Sequence, residues 1–179
     1  MEKPFLADKF QIAWSELKPE NIVSDITEAI ANAQNQVDLI SQPSSAGDEL
    51  TFENTLISLE SAYEALSRPW GLVSHLESVS TSDQWREAYN ATLPKVTEFY
   101  SKVPLNSGLW NRIKAYSETE EAKSLSGTRL RFLEETLSDF QNSGADLPSE
   151  DKDRLMQIES ELAQKTQKYS ENVLDSTNQ

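Results

Sequence analysis

Histidine is the side chain best suited to acid–base work near neutral pH. This sequence has one, His75, in the segment Leu-Val-Ser-His-Leu, with Ser74 immediately before it. A hydroxyl nucleophile and an imidazole base are therefore neighbours in sequence. Neighbouring positions on a helix point in different directions, whereas a nucleophile–base hydrogen bond needs convergent side chains. If the segment is helical, Ser74 and His75 do not form a catalytic pair. His75 is then expected to be a structural helix residue, satisfied by a hydrogen bond or by water. A single histidine also cannot supply a His-rich zinc site. The chain has no cysteine, which excludes disulfides, thiolate metal sites and cysteine nucleophiles.

Carboxylates are abundant, and two groups of them mimic sites. Glu118, Glu120 and Glu121 gather at one expected helix start, and Glu150, Asp151 and Asp153 at another, just after Pro148. The positive end of a helix dipole favours negative charge in its first turn, so both groups have a structural explanation. No EF-hand loop, phosphate-binding Walker loop or dinucleotide-type glycine pattern is present. Trp70, Trp85, Tyr89, Phe99, Tyr100 and Trp110 fall at helical spacing and are expected in the core, where large rings bury most area. The expectation is a segment with no catalytic, cofactor-binding or metal-binding residue.

The elements that carry these residues read as helices throughout. Gly and Pro are scarce, at five and seven in 179 residues, and apolar residues recur at steps of three and four. Residues 1–20 form an extended lead-in arm carrying Phe5, Phe10, Ile12 and Trp14. A helix from about Asn21 follows, with Ile22, Ile26, Ile30, Ala33, Val37 and Ile40 on one stripe. Residues 43–50, with Pro43, Gly47 and small polar residues, make an inter-helix loop. Thr51 is the expected N-cap of a second helix that turns Phe52, Leu56, Leu59, Tyr63 and Leu66 inward.

Pro69, in Arg-Pro-Trp-Gly, is expected to interrupt that helix, leaving Leu72, His75, Leu76 and Val79 on a short one. Thr81 and Gln84 have capping-box spacing. They should open a long helix with Trp85, Tyr89, Leu93, Val96 and Tyr100 inward and a bend at Pro94. Leu105 to Tyr116 is a further short helix. Ser117 and Glu120 repeat the capping-box spacing ahead of Leu125, Leu130, Leu133, Leu137 and Phe140. Gly144 is placed to stop that helix. Pro148 suits the first turn of the last one, whose stripe is Leu155, Ile158, Leu162, Tyr169 and Val173. The fold class is therefore all-α, a multi-helix antiparallel bundle in one domain, 1–179.

Sixteen Lys and Arg against thirty Asp and Glu give a net charge of -14. A chain so charged repels phosphate backbones and anionic lipid surfaces, so neither nucleic acid nor membrane is an expected partner. The first residues lack an apolar signal core, and the chain reads as cytoplasmic.

Specific strings add to this pattern. LTFENTL at 50–56, LSRPWGLVSHL at 66–76, REAY at 86–89, LPKV at 93–96, LSDFQNSGADL at 137–147 and YSENVLDST at 169–177 occur in a familiar order. From about Phe5 to Thr177 the chain resembles the N-terminal region of the thimet oligopeptidase and oligopeptidase A family of zinc metallopeptidases. The resemblance implies the N-terminal lobe of a two-lobed, channel-type oligopeptidase, with this lobe forming one wall of the channel that admits short peptides. It also implies zinc in the parent enzyme, held by an H-E-x-x-H helix and a further glutamate, with hydrolysis by a zinc-bound water. This sequence has no H-E-x-x-H, so none of the family's catalytic or zinc-binding residues carries over onto it. The catalytic zinc domain is expected to be absent here and the segment inactive alone. Its expected partner is the C-terminal catalytic part of the parent, with short peptides as the parent's substrates. Weak self-association through the final helix is expected of the isolated segment. The competing reading is a standalone acidic helical protein-interaction module.

Overall fold

The computed structural model describes residues 3–42, 49–80 and 82–177. Among them every regular element is helical: α1 Pro19–Ile40, α2 Ser58–Val79, α3 Asp83–Leu105, α4 Ser107–Ser117, α5 Glu120–Ser124, α6 Gly127–Asn142 and α7 Ser149–Thr177. The all-α expectation holds. Two short 3-10 turns, Pro4–Leu6 and Trp14–Glu16, lie in the lead-in arm, and a π turn, Glu53–Ile57, runs directly into α2. Residues 43–48 of the expected 43–50 loop lie outside the described residues. No described helix is long and apolar enough to cross a membrane.

Helix α1 sits at the centre, packed mainly against α2 and α3. Its buried face is Ile22, Ile26, Ala29, Ala33, Val37 and Ile40, close to the stripe expected, with Ile30 only partly buried. Small residues at 29 and 33 let the neighbouring helices approach closely. Leu59, Ala62, Leu66 and Val73 of α2 and Val96, Phe99 and Val103 of α3 complete this core. In α3 the inward face is turned slightly from expectation: Phe99 and Val103 are buried, while Tyr89 and Tyr100 are half-buried. Helix α4 adds Leu109, Trp110, Ile113 and Tyr116, and α6 adds Leu133 and Phe140.

Several boundaries depart from the sequence expectation. Pro69 does not interrupt α2, which runs unbroken through it. Proline cannot give a hydrogen bond to the carbonyl of Ala65, a real local cost. Pro69 is itself buried, however, between Leu66 and Val73, both fully buried on the same face. Packing of an apolar face supplies most of a helix's stability, and here it outweighs the lost bond. Helix α3 likewise continues through Pro94 and Pro104. Its N-cap is Ser82, whose hydroxyl accepts from the Trp85 amide at 3.4 Å, and Thr81 lies outside the described residues. Ser117 does not cap the next helix. It ends α4, its hydroxyl donating to the Lys114 carbonyl, while Thr119 caps the short α5 by accepting from the Ala122 amide at 3.1 Å. Leu125 and Ser126 then separate α5 from α6.

Other local expectations hold. Thr51 and Asn54 form a reciprocal capping box: each backbone N–H donates to the other's side-chain oxygen, at 3.0 and 3.1 Å. Gly144, at φ +91°, ends α6. Ala145 N donates to the Phe140 carbonyl and Gly144 N to that of Gln141, both at 3.0 Å. That is the bond pattern of a Schellman motif, which needs a left-handed residue at this position.

Candidate functional site

His75 lies exposed on α2 with its ring 5.7 Å from that of Trp14. Ser74 is turned elsewhere, hydrogen-bonded to Tyr89 of α3. Burial raises the Tyr89 phenol's pKa, and the Ser74 bond offsets part of that rise. The two neighbours thus face different helices and do not act on one another.

The carboxylate groups disperse in the same way. Glu118 follows the end of α4, Glu120 pairs with Lys123 at 2.9 Å, and Glu121 accepts from the Phe52 amide at 3.0 Å, tying α5 to the start of the second helix. Glu150, Asp151 and Asp153 are exposed at the beginning of α7. Among the described residues no three His, Asp or Glu side chains come together in a way that could hold a metal ion. The donors present do not fit the zinc site that the resemblance implies for the parent enzyme.

Two carboxylates that sequence reasoning passed over are the buried ones. Asp25, on the core face of α1, is fully buried and accepts from the Phe5 amide at 3.2 Å and from the Ser24 hydroxyl at 2.9 Å. Lys3 approaches it at 3.6 Å. This cluster fastens the lead-in arm to α1 and keeps the Phe5 ring buried, edge-on to Trp85. Asp25 follows Ile22 by three residues and precedes Ala29 by four, so the helical period alone places it on the inward stripe.

Glu171, on α7, is the second. It accepts from Asn90 of α3 at 2.7 Å and from Gln167 at 3.5 Å, with Lys168 at 3.6 Å. Burial would raise its carboxyl pKa, but the Asn90 and Gln167 hydrogen bonds and the charges of Lys168 and Arg86 outweigh it and hold the group below its ordinary value. One turn further on, both guanidinium nitrogens of Arg86 reach Asp175, at 3.1 and 3.2 Å. Helix α7 therefore docks on α3 through a seam of polar side chains. Of the expected stripe, Leu155 is half-buried, while the other four residues face outward: Ile158 is 51% exposed, Leu162 62%, Tyr169 69% and Val173 44%.

Aromatic rings divide between core and clefts. Trp85, Phe99 and Trp110 are buried, and Trp110 stacks on Phe140 while its indole N–H donates to Asp146 at 2.7 Å. Trp70 and Tyr89 stack at 4.8 Å on the side of α2 and α3 nearest Ser74. Tyr63 and Tyr100 stack at 6.0 Å, nearly parallel at 14°, in a cleft of about 290 Å³ between α2, α3 and α6. Leu56, Leu59, Phe132 and Phe140 line its apolar part, and Glu60 and Asp139 its polar part.

Comparison with known proteins places these observations in a lineage. The family profile of the neurolysin/thimet oligopeptidase N-terminal domain matches residues 20–152. The chain is 32% identical over 178 residues to oligopeptidase A of Haemophilus influenzae, covering 99% of this chain and 25% of that protein. To oligopeptidase A of Escherichia coli it is 30% identical over 177 residues, with 99% and 26% covered. A probable cytosolic oligopeptidase A of Arabidopsis thaliana is 32% identical over 119 residues, 66% of this chain and 17% of that one. The chain spans about a quarter of the length of the bacterial relatives.

Proposed function

Because the chain belongs to the neurolysin and thimet oligopeptidase family, matching its N-terminal domain, we propose that it serves as the non-catalytic helical lobe of an oligopeptidase A-like metallopeptidase. In that role it forms one wall of the channel that admits short peptides. The observation that carries this reading is the similarity to oligopeptidase A along 99% of the chain, combined with a donor set that fits no metal among the described residues. Zinc, and the water it would activate, belong in this reading to the catalytic part of the polypeptide. No step of the chemistry passes through the residues described here.

The outward stripe of α7 supports a specific partner for this lobe. Helices owe most of their stability to the packing of an apolar face, yet α7 leaves Ile158, Leu162, Tyr169 and Val173 uncovered. A row of exposed large apolar side chains is a candidate association site. The catalytic part of the parent enzyme is the proposed occupant.

The test is reconstitution. The chain alone should hydrolyse no peptide, and chelator-sensitive cleavage of short peptides should appear when it is joined to the catalytic part of an oligopeptidase A. A catalytic part lacking this lobe should lose its discrimination against long polypeptides. Chelator-sensitive hydrolysis by the chain alone would overturn the reading. So would unchanged length selectivity in the absence of the lobe.

A further inference from the structure

The cleft between α2, α3 and α6 combines features that suit one kind of ligand. Tyr63 and Tyr100 present stacked ring systems, and the face of an aromatic ring attracts a cation. Glu60 lies one turn before Tyr63 on α2, and Asp139 reaches the cleft from α6. Neither carboxylate is ion-paired with any lysine, arginine or histidine among the described residues. Leu56, Leu59, Pro104 and Phe132 supply an apolar lining behind the rings.

An apolar stem with a positive head is the complement of such a lining. The methylenes of a long basic side chain pack against carbon while the head stays near solvent and counter-charge. Both carboxylates also oppose negative charge at the rings: burial first, then Tyr100, Glu60 and Asp139, raise the Tyr63 phenol well above its ordinary pKa. An anionic ligand is disfavoured for the same reason. The cleft, at about 290 Å³, falls just below the roughly 300–1,000 Å³ of ligand pockets. It suits one side chain and not a cofactor.

We infer that this cleft is a binding site for the arginine side chain of a peptide, with the guanidinium against the Tyr63 and Tyr100 rings and between the Glu60 and Asp139 carboxylates. Arginine is favoured over lysine because its planar head stacks on rings and spans two acceptors at once, which a point-like ammonium does not. The net charge of -14 concentrates cationic peptides around the chain before they dock. The site does not depend on the peptidase reading, since binding here neither requires nor reports hydrolysis.

The test uses the whole chain with carbon-13-labelled tyrosine rings, titrated with a blocked Gly-Arg-Gly peptide and with its citrulline counterpart, which is neutral and nearly isosteric. The arginine peptide should shift the ring signals of Tyr63 and Tyr100 and leave those of Tyr116 and Tyr169 in place. The citrulline peptide should bind about tenfold more weakly or not at all, the value of two partly exposed ion pairs. The double variant Glu60→Gln, Asp139→Asn should lose the same factor, and both positions are exposed, so its fold is retained. Equal shifts from the two peptides in the unaltered chain would overturn the inference, whatever the variant does. An absence of shifts at Tyr63 and Tyr100 would overturn it as well.

Discussion

Replacing Asp25 by alanine removes the acceptor that fastens the lead-in arm, and its cost follows from the contacts it makes. The carboxylate is fully buried, takes the Phe5 amide at 3.2 Å and the Ser24 hydroxyl at 2.9 Å, and has Lys3 at 3.6 Å. A hydrogen bond to a charged group is worth about 1.5–3 kcal/mol, and an orphaned buried amide costs a similar amount. The two are not additive here, because the arm can lift off and let water reach the amide. That escape exposes the Phe5 ring, now 2% exposed, at about 1.5–3 kcal/mol. The expected loss is therefore about 2–3 kcal/mol, reduced by whatever desolvation penalty the buried charge carries. Asparagine keeps one acceptor for the Phe5 amide but puts an NH2 where the other oxygen takes the Ser24 hydroxyl and faces Lys3; Ser24 is exposed and can turn to water, so the cost should be about 1 kcal/mol. Urea denaturation followed by circular dichroism measures both, and protease cleavage within residues 3–18 reports release of the arm. If alanine proves harmless, or asparagine as damaging as alanine, the arm is held by packing alone and the reasoning fails.

Acidification should loosen α7 before the central helices. Glu171 is held below its ordinary pKa, so its proton binds less readily when α7 is docked than when it is free. Its contribution is complete above the ordinary range, about 4.3, and is lost as pH falls through the lower docked value. Hydrogen exchange in α7 should rise below about pH 4.5 relative to α1. Glu171→Gln should abolish that difference, and identical profiles in the two proteins would refute it. Tyr116 is fully buried, and its hydroxyl has no hydrogen-bond partner among the described residues. Tyr116→Phe should therefore be neutral or stabilise the chain by up to about 1 kcal/mol, read from the denaturation midpoint. The outward stripe of α7 should make the isolated chain associate weakly at high concentration. Leu162→Glu should return light scattering to that of a monomer, and an unaltered concentration dependence would place the contact elsewhere.

How much of this was legible depended on the kind of information each residue carries. The face of α1 follows from a period of three and four, and the end of α6 from the one glycine able to take a left-handed conformation there. Pro69 was misread because a rule about neighbouring residues was set against packing from α1, which no local rule contains. Ser117 was expected to do what Thr119, two residues on, does, and the difference turned on where α4 ended. Asp25 was legible from its period, yet an acid on an apolar stripe is usually read as solvated. For α7 the stripe itself was found, but pattern alone could not say which face would meet α3. Asn90 and Arg86 meet Glu171 and Asp175 across more than eighty residues of sequence. The pairing of Tyr63 with Tyr100 joins two different helices as well, so the cleft was out of reach of periodicity.

The polar seam between α3 and α7 gives that junction a thermal character unlike the rest of the chain. Opening it exchanges hydrogen bonds between side chains for hydrogen bonds to water and also wets the partly buried carbon of Leu93 and Pro94. The heat capacity of unfolding comes chiefly from wetting apolar surface. Separation of α7 should thus depend less steeply on temperature than melting of the core and be sensitive to ionic strength, through the Arg86–Asp175 and Lys168–Glu171 pairs. Melting of the α1-centred core should show the reverse. Salt and heat address two different parts of the same small chain.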